Sequence, residues 1–186
     1  IAAEVAAGRF AGPFDQPPLE AMLFYPLGLV PKREIGKFRL IHHLSWPVGR
    51  GVNAAIPDSV AAVKYTKFDT VISKIKAFGT GTLLWKADIK DAFRLLPVRQ
   101  ADQRFLGFSF DEKFYLDLCL AMGVRSSCAI FEKFSKFLNF TVSLGMSRNQ
   151  DIQHYIDDFI GMIKADAVHE PSQLDYFKNV CVELGV

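Results

Sequence analysis

Ile152-Gln153-His154-Tyr155-Ile156-Asp157-Asp158-Phe159-Ile160-Gly161-Met162-Ile163 is the stretch that decides the fold. Two largely apolar runs, 152–156 and 159–163, flank an acidic pair, which is the pattern of two short strands joined by a two-residue turn. Upstream, Thr82-Leu83-Leu84-Trp85-Lys86-Ala87-Asp88 reads as a buried strand that also ends on a carboxylate. A charged group at the end of an apolar strand costs free energy unless something compensates it. Asp157 and Asp158 repel each other, and Asp88 brought beside them would repel further unless cations lay between. A hard divalent ion held by oxygen ligands, most simply Mg²⁺, removes that objection. Two such ions about 3.5 to 4 Å apart clamp the attacking and leaving oxygens of an in-line displacement at phosphorus. Taken singly, each acid has an ordinary alternative: Asp-Asp is common turn chemistry, and an Asp closing a strand also caps helices.

Outward from this centre, the spacing predicts three helices. One follows Thr66, with a capping-box spacing to Asp69 and Phe68, Val71, Ile72, Ile75 and Phe78 on one face before Gly79. A second follows Ser126 or Ser127, with Ile130, Phe131, Phe134, Phe137 and Leu138 at helical spacing. The third spans about 172–184 behind Pro171, with Leu174, Phe177, Cys181 and Leu184 on its face. Residues 105–110 and 113–118 read as a hairpin turned at Asp111-Glu112, and 37–43 as an exposed strand with Phe38, Leu40 and His42 alternating against Arg39, Ile41 and His43. Residues 1–20, dense in Gly and Pro, suit an irregular surface segment. The order of elements points to a mixed α+β domain, with helices on one face of a largely antiparallel sheet.

Composition narrows the classes. With 186 residues, 50% hydrophobic and 23% charged, the chain can bury a sizeable core and is not disordered. Charged residues interrupt every apolar run, so no membrane span is expected. The net charge of +2 advertises no polyanion, but Lys32, Arg33, Lys37 and Arg39 against Glu34 make a local basic patch. A charge-protected strand edge is the plainer account of that patch. Cys119, Cys128 and Cys181 are odd in number and lack a CxxC spacing, which argues against a disulfide framework or a cysteine zinc site and suits an intracellular, reducing compartment. The four histidines lack ligand spacing, and Gly79-Thr80-Gly81 lacks the Lys-Ser/Thr of a phosphate-binding loop. The chain starts at Ile1 and stops just past a helical pattern, as a piece of something longer would.

Four blocks then fall in one order: Pro31-Lys32-Arg33-Glu34-Ile35-Gly36-Lys37-Phe38-Arg39-Leu40-Ile41; Lys86-Ala87-Asp88-Ile89-Lys90-Asp91-Ala92-Phe93-Arg94-Leu95-Leu96-Pro97-Val98; Leu120-Ala121-Met122-Gly123 with Ser126-Ser127-Cys128-Ala129-Ile130-Phe131; and Tyr155-Ile156-Asp157-Asp158. Together they resemble the fingers and palm motifs of reverse transcriptases, over about residues 20–186. Arg39-Leu40-Ile41-His42-His43-Leu44-Ser45-Trp46-Pro47, the run 92–98 and the run 128–135 are similar, more narrowly, to reverse transcriptases of tyrosine-recombinase (DIRS-like) retrotransposons.

The resemblance implies a polymerase right hand with its thumb absent: a fingers-like region over 21–81 and a palm-like region over 82–186, forming one continuous unit. It implies RNA-directed DNA polymerase activity, with Asp88, Asp157 and Asp158 ligating two Mg²⁺ ions, replaceable by Mn²⁺, and the Ile89 carbonyl assisting. It places Lys32, Arg39, Asp91, Ala92, Phe93, Met122 and Gly123 at the dNTP, and Tyr155 and Ile156 at the primer end. Phe93 matches the bulky position that excludes a ribonucleotide 2′-hydroxyl, although a core phenylalanine is the plainer reading. The implied partners are an RNA or DNA template with primer, dNTP, and downstream thumb, RNase H and recombinase regions, with no membrane. Ala121 and Cys128 stand where proline is common in the family, and His43 and Ser45 replace an acidic and a basic residue. Two rivals remain: a two-metal nuclease of RNase H type, and an inactive retroelement-derived nucleic-acid-binding remnant.

Overall fold

A computed structural model describes residues 1–167 and 169–186. In chain order its elements are α1 (Ala2–Ala6), β1 (Phe10–Phe14), β2 (Leu27–Pro31), β3 (Phe38–His42), α2 (Asp58–Ala61), α3 (Phe68–Phe78), β4 (Leu83–Asp88), α4 (Gln100–Gln103), β5 (Gly107–Phe110), β6 (Lys113–Asp117), α5 (Ser127–Leu144), β7 (Gln150–Tyr155), β8 (Asp158–Ile163) and α6 (Gln173–Glu183). They form two compact units, one of residues 1–62 and 91–127 and the other of residues 63–90 and 128–186. Residues 91–127 therefore group with the N-terminal part of the chain.

In the first unit, β1, β6 and β5 make an antiparallel sheet in that order, and β2 and β3 make a separate hairpin. The irregular segment expected over 1–20 is corrected here, because its first residues form α1 and β1. Phe10 is the reason: it is buried edge-on against Phe108, which in turn stacks on Tyr115, while Ile1 and Val5 close over the same cluster. Apolar contact from a distant strand overrides a glycine- and proline-rich local composition. The β5–β6 hairpin turns at Asp111 and Glu112, both at positive φ as a two-residue loop of this kind requires.

In the second unit, β4, β8 and β7 make an antiparallel sheet in that order. Its inner face carries Phe159 and Ile152, both buried, and Gly161, where a Cβ would run into the Trp85 indole. Phe177 of α6 stands 5.3 Å from the Trp85 ring and 5.1 Å from that of Phe159. On the same face, Asn139 of α5 reaches the Ile152 carbonyl. Lys74 of α3 is paired with Asp151, which alternates to the opposite face of β7.

Several local expectations change. β4 is an edge strand with Leu83 and Leu84 about half exposed, not a buried strand. The capping box at Thr66 does not form: Lys67 is the N-cap of α3 and makes no side-chain cap bond. α6 is capped by Ser172, and it buries Gln173, Phe177 and Val180 while Leu184 stays exposed, a face rotated from the expected one. The rotation follows from Gln173, whose amide binds both the Trp85 indole N–H and the Asp151 carbonyl. All three cysteines are free. No helix among the described residues is long and apolar enough to cross a membrane.

Candidate active site

The three acids meet at one end of the β4–β8–β7 sheet. Asp88 closes β4 and lies opposite Asp158 in the antiparallel register, and Asp158 in turn lies opposite Tyr155. Directly opposed residues point to one face, so Asp88, Asp158 and Tyr155 form a row across three strands. The hairpin loop is Ile156-Asp157, one residue earlier than the expected Asp157-Asp158, because Asp158 is already the first residue of β8. Ile89 N–H donates to the Asp157 carbonyl at 3.0 Å and ties the loop to the end of β4.

Ile156 sits at φ +56°, in the left-handed region that a β-branched side chain resists. Hairpin loops normally give that position to glycine. Such strain persists where the surroundings over-determine it, and here strand pairing on both sides does so. Tyr155 is half exposed, with its ring 4.8 Å from that of Tyr65. Sequence reading missed Tyr65, whose hydroxyl is held above its ordinary pKa by burial first and by Cys128 next. Behind the loop, buried His154 lies 3.3 Å from buried Glu132 of α5.

One cation already faces the acids. Lys86 Nζ lies 3.0 Å from Asp158 Oδ1. That hydrogen bond is the largest influence raising the Lys86 pKa, and the charges of Asp88 and Asp157 add to it. Lys86 is the ammonium that this negative cluster attracts. The donor chemistry, carboxylate and carbonyl oxygens, suits a hard divalent ion. As the side chains stand, no group of three His, Cys, Asp or Glu among the described residues is closed into a metal cage. The backbone gathers the acids, while Lys86 holds one of them.

The remaining expected site residues lie in the other unit. Lys32, in the β2–β3 loop, and Arg39, on β3, are exposed. Met122 accepts the His42 N–H at 3.0 Å. Gly123, at φ +126°, lies so close to the His42 carbonyl that any Cβ would overlap it, so the backbone here requires glycine. Asp91 stands at φ +52° before a short turn, Ala92–Leu95, in which Ala92 is buried and Phe93 half-buried.

A network invisible to sequence reading joins these pieces. Arg94 grips buried Asp117 through two nitrogens at 2.9 and 2.8 Å and reaches Glu4 of α1 at 3.2 Å. Burial works against its charge, but Asp117 and Glu4 outweigh that and raise its pKa. Asp117 also accepts the Cys119 N–H, and His42 Nε2 approaches it at 3.2 Å, off-line for a hydrogen bond. Burial pushes the Cys119 thiol pKa up. Arg9 binds Glu4 at 2.7 Å and Asp91 at 2.9 Å. Partners 82 and 90 residues apart leave no local signal.

An antiparallel sheet with carboxylates gathered at one end defines a polymerase-like palm, and the family pattern agrees. Residues 30–185 match the family described as reverse transcriptase (RNA-dependent DNA polymerase), and the chain belongs to that family, whose class is nucleotidyltransferase. No curated protein matches the chain. Among solved structures it is similar to a foamy viral protease–reverse transcriptase in complex with double-stranded DNA, at 17% identity and TM-score 0.68 over 97% of this chain and 27% of that one. A prototype foamy virus protease–reverse transcriptase mutant gives 18% and 0.66, over 97% of this chain and 21% of that one. A further foamy viral protease–reverse transcriptase with double-stranded DNA gives 18% and 0.64, over 98% and 33%. At these identities the likeness is one of fold, and this chain spans no more than a third of each.

Proposed function

We propose that this domain is the RNA-directed DNA polymerase of a DIRS-like retrotransposon, adding dNMP to a primer 3′-hydroxyl with release of pyrophosphate. The observation that carries the reading is the in-register pairing of Asp88 with Asp158, with the Asp157 carbonyl tied to the Ile89 N–H, in a chain of this family. Asp88, Asp157 and Asp158, with the Ile89 carbonyl, would hold two Mg²⁺ ions, Mn²⁺ being an acceptable substitute. Bound there, the ions would supply charge stabilisation for the attacking and leaving oxygens.

The protein's own part is positioning. Tyr155 and Ile156 set the primer end beside the acids. Lys32 and Arg39 offer the triphosphate a point charge and a planar fork. Asp91, Ala92, Met122 and Gly123 line the nucleotide site, and the Phe93 ring takes the space of a ribose 2′-hydroxyl. The partners are a primed RNA or DNA template, dNTP, and thumb, RNase H and recombinase regions of a longer chain, in a reducing intracellular setting. Contacts to template and primer through phosphate and sugar make binding salt-sensitive and indifferent to sequence.

Primer extension with Asp157→Asn tests the reading. Extension is expected to be abolished with the fold intact, and an unchanged rate ends it. The alternative is a catalytically inactive, retroelement-derived nucleic-acid-binding remnant, although the presence of all three acids argues against decay of the site. Binding of primer–template by the wild-type chain without metal-dependent extension would select it.

A further inference from the structure

We infer that Arg9, anchored by Glu4 of α1, is a positioning residue for the turn that carries Ala92 and Phe93, so that the N-terminal segment sets nucleotide affinity and sugar selection; this rests on the reverse transcriptase reading above. Asp91 is the N-cap of the turn Ala92–Leu95, yet its side chain makes no cap bond. An aspartate at that position ordinarily satisfies its own turn's N–H groups. Here the carboxylate is turned onto Arg9 at 2.9 Å instead, and Asp91 holds a left-handed backbone at φ +52°.

The turn is gripped from both sides. Arg9 holds Asp91 in front of it, and within it Arg94 is held by Asp117 and Glu4. Glu4 accepts from both arginines, at 2.7 and 3.2 Å, and so fixes their spacing. Ala92 and Phe93 lie between the two grips, and a ring that excludes a 2′-hydroxyl works only if its position is held to within about half an ångström. With Arg9 neutral, Asp91 regains the option of capping its own turn, and the short helix beginning at Ala92 shifts. Arg94 and Asp117 remain paired, so the buried part of the network survives the change. Arg9 acts through Asp91 and touches no reacting group in this scheme.

The test is steady-state extension by the full chain, comparing wild type, Arg9→Gln, Arg9→Lys and Asp157→Asn. Arg9→Gln is expected to raise the KM for dNTP about tenfold and to lower discrimination against ribonucleotides, with kcat and the KM for primer–template within about twofold of wild type. Arg9→Lys keeps the charge but cannot span two acids as a fork does, so it restores part of the loss. A purely structural loss would lower all parameters together and spare sugar selection. If Asp157→Asn abolishes extension while Arg9→Gln keeps wild-type dNTP KM and sugar discrimination, the positioning role is overturned and the polymerase reading stands. If Asp157→Asn extends normally, the polymerase reading itself fails. Should Arg9→Gln not fold, Glu4→Gln, which leaves the Arg9–Asp91 pair in place, is expected to shift dNTP KM and sugar discrimination the same way by a smaller factor. Unchanged values there overturn the inference.

Discussion

The two units hold their functional residues by different physics. In the second, Asp88, Asp157 and Asp158 are placed by strand register: once the hydrophobic face of the β4–β8–β7 sheet is buried, pairing fixes which residues share its end. The acids themselves remain half-buried or exposed and contribute little to holding the sheet. In the first unit, the segments around Asp91, Met122 and His42 are joined by buried charges, with Asp117 fully enclosed between Arg94 and His42. Register tolerates substitution of the residues it displays. A buried ion network does not, because removing one member leaves another charge desolvated and unpaired.

Asp117→Ala should break that contrast most forcefully. It leaves the largely buried Arg94 guanidinium with Glu4 as its one remaining carboxylate among those described, and a loss of about 3 kcal/mol in urea denaturation is expected. Asp158→Asn, on the displayed side, should leave the midpoint near wild type, and equal losses from the two would erase the distinction. A smaller effect sharpens the hairpin side: Ile156→Gly removes left-handed strain at the cost of a more flexible unfolded chain, for a net gain of at most about 1 kcal/mol. A clear destabilisation would mean that the Ile156 side chain supports the loop by contact. Smallest of all is Lys86→Met, which leaves the exposed sheet edge stable but removes the ammonium from Asp158. The Mg²⁺ concentration for half-maximal extension should then fall about two- to threefold, and a rise would show that Lys86 supports ion binding instead of competing with it.

The hairpin was legible because its signal is local: apolar alternation runs up to an acidic turn, and the error of one residue in the loop came from counting Asp158 outside its strand. The β5–β6 turn at Asp111-Glu112 was legible for the same reason. β4 was misjudged as buried because Leu83, Leu84 and Trp85 look alike in sequence, whereas Leu83 and Leu84 are about half exposed and Trp85 packs on Phe177 of α6. α1 and β1 were missed because nothing near Phe10 announces Phe108, and the arginine network was missed because Arg9 and Asp91 are brought together only by the tertiary fold. Basic residues at 32, 33 and 39 could be read as a patch, but that they stand exposed on one β-hairpin is seen only in the fold. Neither Tyr65 nor its ring contact with Tyr155 had a sequence signal, since the two residues approach only when the sheet and the segment before α3 are both in place.

The edge position of β4 has a consequence for behaviour outside catalysis. Among the described residues no strand pairs with its outer side, so a row of backbone donors and acceptors lies open beside exposed Leu83 and Leu84. Edges of that kind template the addition of foreign strands and seed insoluble aggregates, and a charge on the edge is the common deterrent. Lys86 and Asp88 are the charged residues of β4. They thus double as gatekeepers of solubility, and a variant that replaced both with apolar residues should precipitate on expression before its chemistry could be assayed at all.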